Sequence, residues 1–106
     1  MSAFGVPNTG AMIGELERGL PALRREHDGL SSQRKQKQKE MDQLDKEITD
    51  NSKDPGLARK VDKLREVRRA LDAELKVFDQ MILDIEQRVE KDRKLIADLK
   101  RQEGVC

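Results

Sequence analysis

The chain has 106 residues, 41% charged and 35% hydrophobic, with two Phe, no Trp or Tyr, and a net charge of +1 from 22 basic and 21 acidic side chains. So little aromatic bulk argues against a compact globule, and such charge with a sustained heptad period is the mark of long helices. The charge balance excludes a whole-protein attraction to nucleic acid or anionic membrane, so binding of either kind must be local.

No apolar run approaches the roughly 20 residues of a membrane span. The first residues lack the basic stretch and continuous apolar core of a signal peptide. The single cysteine, Cys106, cannot close an intrachain disulfide, which fits a reducing compartment, and a cytoplasmic location is expected. Cys106 does not form a prenylation box, which would place Cys four residues from the end.

Residues 1–9 read as a flexible arm, because Gly5, Pro7 and Asn8 oppose a helix. The arm is either a loose terminus or a segment whose Phe4 and Val6 fold back near Ile96 and Leu99. A first helix, residues 10–50, is expected after Asn8 or Thr9, either of which can cap its orphan amides. Ile13, Leu16, Leu20, Leu23, Leu30, Met41, Leu44 and Ile48 follow a four-three rhythm, with His27, Arg34 and Lys37 at the positions between. Gly19 and Gly29 each cost about 1 kcal/mol relative to Ala, and Pro21 removes the amide bond to Glu17. A kink near 19–21, or a short helix followed by a longer one from Pro21, is predicted. The heptad phase survives across Pro21, which favours the kink.

Asp50-Asn51-Ser52-Lys53-Asp54-Pro55 then concentrates turn-forming residues. Asn51 can take the left-handed conformation that ends many helices. Asp54 before Pro55 is a restart signal, since the residue before proline is pushed out of the α region and proline suits the first helical position. A turn at 51–54 is predicted.

The second helix, residues 55–102, carries the stronger heptad. Leu57, Leu64, Leu71, Phe78, Ile85 and Leu99 fall at d, and Val61, Leu75, Ile82, Val89 and Ile96 at a. Only Arg68 and Asp92 interrupt the seam. At 1.5 Å per residue this helix would be roughly 70 Å long. Folding the helices back around Ser52–Lys53 pairs residues whose numbers sum to about 105. Ile48 then meets Leu57, Leu44 meets Val61, Met41 meets Leu64, Leu30 meets Leu75, Leu23 meets Ile82 and Leu16 meets Val89. The fold expected is all-α, an antiparallel two-helix hairpin coiled coil.

Val67, Met81 and Leu95 lie at g of the second helix and widen its apolar face beyond a strict a/d stripe. Two hairpins packed together would cover them, so a homodimer forming a four-helix bundle, or docking on a partner's helices, is expected. The general shape resembles the hairpin coiled coils of prefoldin-like chaperones and of FliJ-like stalk proteins of export ATPases. No residue motif is shared with either.

No catalytic or metal-binding constellation emerges. His27 is the only histidine and is expected opposite Phe78 as a seam residue with one nitrogen satisfied; a pH-sensing role would rest on its titration near neutrality alone. The acidic residues alternate with lysines and arginines at helical spacings, as on solvated faces. No Glu-x-x-His pair of the di-metal bundles occurs, and no cofactor, small-molecule substrate or membrane is implied. The middle of the chain is unusual in being basic. Arg34, Lys35 and Lys37 on the first helix and Arg68 and Arg69 on the second form a polar waist, in which the expected register makes Arg34, Lys37 and Arg68 neighbours. Such cations in a seam need Glu40, Glu66, Asp72 or Glu74 to pair with them. The waist could fix register, dock an acidic partner, or bind phosphates, although no aromatic residues accompany it for base stacking. The expected function is that of a non-enzymatic scaffold or adaptor mediating protein–protein interaction. The alternatives are a nucleic-acid-binding protein using the waist, and an assembly or export chaperone whose open end, around Phe4, Met12, Ile13, Ile96 and Leu99, holds client segments.

Overall fold

The computed structural model describes residues 8–104. The expectations for Phe4, Val6 and Cys106 fall outside the described residues. Two long helices, α1 (Thr9–Asn51) and α2 (Ala58–Gly104), are joined by a short 3₁₀ turn at Pro55–Leu57, with no strand among the described residues. The fold is a helical hairpin.

α1 starts where Asn8 can serve its first amides. The Asn8 Oδ1 accepts from the Ala11 N–H at 3.0 Å, and the Asn8 carbonyl accepts from Met12 at 3.0 Å. Pro21 is carried inside α1, which continues as one helix on both sides of it. Pro21 and Glu17 are both exposed, so water can serve the Glu17 carbonyl that the proline leaves without its usual amide.

The connection is built from side-chain oxygens and nitrogens. Thr49 Oγ1 donates to the Asp45 carbonyl at 2.9 Å, Asn51 Nδ2 to Glu47 at 2.8 Å and Ser52 Oγ to Ile48 at 2.6 Å. Each bonds back four residues to a carbonyl that already accepts a helical amide, as Ile48 does from the Ser52 N–H at 2.9 Å, and so ties these side chains to the last turns of α1. Asn51 does not take the expected left-handed conformation, since no described residue has a positive φ. It stays helical, and its side chain bonds back to the Glu47 carbonyl. Asp54 is extended, at φ −112° and ψ 111°, and its carboxylate accepts from the Gly56 N–H at 2.9 Å. Pro55–Leu57 form a 3₁₀ turn rather than the first turn of the α-helix, so regular α2 begins at Ala58 instead of residue 55 and runs to Gly104.

The chain divides into two compact units, one combining α1 up to Asp28 with α2 from Leu83 onward, the other comprising Gly29–Ile82. Within each, the two helical segments run antiparallel. In the Gly29–Ile82 unit the core is Met41, Leu71 and Leu75, 3–8% exposed, with Leu44 against them. In the other, Ile13, Ile96 and Leu99 are each 8% exposed, with Leu16 and Leu20 packed on them. Ile48, Leu57, Leu64, Phe78, Ile82, Val89, Leu23 and Leu30 are half-buried, and Val61 and Ile85 are buried.

The register differs from the expected one. Arg34 pairs with Asp79, Lys37 with Glu74 and Arg68 with Asp45, so partner numbers sum to between 111 and 113 rather than about 105. Met41 packs on Leu71 and Leu75 instead of Leu64. In the other unit Leu16 joins the Ile96 cluster instead of Val89. The shift is about one heptad. A pattern that repeats every seven residues matches itself equally well after a seven-residue slip, so seam periodicity alone does not select among such registers. With Pro55–Leu57 in the turn, the reversal lies between Asn51 and Ala58 and not between Asp50 and Pro55, which moves the register in the observed direction.

Candidate interaction surfaces

The polar waist lies in the Gly29–Ile82 unit and is resolved into separate ion pairs. Arg34 Nε donates to Asp79, and Arg68 Nε donates to Asp45 across the two helices. Lys37 Nζ lies 3.0 Å from Glu74 and 3.8 Å from Glu40. Each cation has a raised pKa, chiefly through its hydrogen bond to that carboxylate: Asp79 for Arg34, Glu74 for Lys37 and Asp45 for Arg68. Glu40 and Glu74 are among the partners expected, whereas Asp79 and Asp45 come into reach through the shifted register. That shift also separates Arg68 from Arg34 and Lys37, which the sequence reading made neighbours. Lys35 and Arg69 are exposed and form no ion pair with another described residue.

In the other unit, His27 is a half-buried seam residue whose Nε2 lies 3.3 Å from Glu86 and whose Nδ1 lies 3.8 Å from Asp28. Its opposite number is thus Glu86, not Phe78. Asp92 is the one buried charged residue among those described, at 8% exposure. Arg88 and Asp92 approach to 3.7 Å along the same helix.

Val67, Met81 and Leu95 are 51%, 38% and 39% exposed. Val77, at 57%, and Leu83, at 45%, are also exposed and were not anticipated. A signal for Val77 exists. It sits at c, beside g, and Val67, Ala70, Val77 and Met81 keep the three-four rhythm on a second face, interrupted by Glu74. Inspecting g positions alone overlooks it. Among the described residues, no group of three or more His, Cys, Asp or Glu is arranged to hold a metal ion, and no helix is long and apolar enough to cross a membrane.

Compared with protein-family models, curated proteins and solved structures, the chain matches none of them.

Proposed function

We propose that this chain is a non-enzymatic interaction protein, a helical hairpin that self-associates through the outer face of α2 and serves as a scaffold or adaptor in a larger assembly. The observation that carries the reading is the second apolar face. On a helix whose a and d residues already turn inward, Val67, Val77, Met81 and Leu95 remain 38–57% exposed. Aliphatic side chains repeated along one face beside charged neighbours are favoured where another molecule covers them. A second hairpin would extend the same burial into a four-helix arrangement. The paired cations of the waist support this reading over phosphate binding, because Arg34, Lys37 and Arg68 are already engaged by carboxylates of the same chain.

Sedimentation equilibrium tests the proposal. The parent protein should sediment as a dimer or larger species. The triple variant Val67→Ser, Met81→Ser, Leu95→Ser should shift to the monomer mass with its helical circular dichroism retained. An unchanged mass in the variant would remove this face as the contact, and a monomeric parent would remove self-association altogether.

A further inference from the structure

In the unit formed by the start of α1 and the end of α2, Asp92 lines an open groove. It occupies a d position, is 8% exposed, and its one ion pair, with Arg88 on its own helix, spans 3.7 Å. That is longer than a hydrogen bond. The groove beside Asp92, of about 400 Å³, opens along α1. Leu16 and Leu23 give it an apolar lining, and Glu15 and Glu26 add two further carboxylates. Gly19 and Ala22 keep side-chain bulk out of it, and a Cβ built at Gly19 would meet nothing within 4 Å. The groove is therefore open to the close approach of another helix. With three carboxylates against the single guanidinium of Arg88, it suits a helix that presents lysines beside an aliphatic side chain.

The Gly29–Ile82 unit presents such a face. Lys60, Lys63, Val67 and Ala70 alternate between g and c along one exposed stripe of α2. Val67 is 51% exposed, and neither lysine is in an ion pair with another described residue. The stripe from Lys60 to Ala70 and the groove from Glu15 to Glu26 each extend over about 15 Å of helix. We infer that this stripe of one molecule docks into the Asp92 groove of a second copy. Lys60 and Lys63 enter the field of Asp92, Glu15 and Glu26, and Val67 covers Leu16 and Leu23. The inference rests on the self-association proposed above and names its contact. It also accounts for a basic start to α2 that the internal ion pairs leave unused.

A charge-reversal cycle on the full chain tests it by sedimentation equilibrium. Glu26→Lys and Lys63→Glu should each weaken self-association about tenfold or more, and the double variant should recover to within about threefold of the parent. Both residues are exposed, so helical circular dichroism should not change. A third variant, Asp92→Leu, should weaken association while leaving the hairpin folded. Single variants that associate like the parent, or a double variant as weak as the two losses combined, would overturn this contact while leaving self-association standing. A parent that stays monomeric at all concentrations would overturn both readings. Association that survives Asp92→Leu undiminished would assign Asp92 to the seam alone and overturn its place in the contact.

Discussion

The two units of the hairpin meet the same problem, a charged residue at a heptad position, in opposite ways. In the Gly29–Ile82 unit the intruders are Arg34, Lys37 and Arg68. Their side chains stay 34–43% exposed while reaching carboxylates on the facing helix. Long aliphatic stems lie along the seam and the charged heads come out to water and to a partner. In the other unit the intruder is Asp92, whose short side chain is 12% exposed and cannot follow that route. A seam position accepts a charge according to the reach of its side chain. Arginine and lysine turn the waist into a set of cross-helix latches, whereas aspartate at the equivalent depth leaves a polar spot with one distant cation.

The largest effect should come from residues both units treat alike. Met41→Ala, at 3% exposure, removes the centre of one core and should cost about 2–4 kcal/mol in denaturant unfolding, as buried truncations of this size do. Ile96→Ala, 8% exposed in the other core, should cost a similar or slightly smaller amount. A much smaller loss there would show that the two units do not rely equally on their apolar seams. Next comes the charge that cannot escape. Leucine at this d position, 8% exposed, would continue the apolar seam, so Asp92→Leu should raise the denaturation midpoint. Arg68→Leu should raise it little or lower it, because Asp45 would be left without its partner. If both substitutions act in the same direction and to the same extent, the contrast between the units is lost.

The smallest effect is a pH dependence. Lys37 is held above its ordinary value of 10.5 by its hydrogen bond to Glu74. A raised folded-state value means the contribution is fully present below about pH 10.5 and fades as pH rises through the folded value. Because the pair is solvent-exposed, the change is modest. Unfolding of the parent and of Lys37→Met, followed from pH 8 into the alkaline range, should show the two stabilities converging. A gap that stays constant with pH would deny the latch.

Much of the architecture is legible in the sequence. Two helices and a reversal near Asp50–Pro55 follow from heptad spacing and turn chemistry. The register does not, because a seven-residue repeat is blind to a seven-residue slip. Whether Pro55–Leu57 wind as α-helix or as a tighter turn moves the register, and Pro55 is compatible with both. The partners of the waist follow the register, which is why Asp79 and Asp45 were not foreseen while Glu74 was. The outer face is partly legible. Val67, Met81 and Leu95 share one heptad position, whereas Val77 emerges only when two adjacent positions are read together. Nothing in the spacing marks the groove beside Asp92, which needs α1 and α2 brought side by side.

The connection at Ser52–Leu57 also bears on how the chain reaches its native state. Its cross-helix contacts grow steadily in sequence separation, from 23 residues for Asp45–Arg68 through 45 for Arg34–Asp79 to 83 for Glu17–Lys100. Closing a long segment before a short one carries a larger entropic penalty, and each closure shortens the segment the next must span. Such a ladder of contacts favours propagation from the bend outward, like a zipper, with the capped turn as its starting tooth. A mistake made at that first tooth would be copied along every later one.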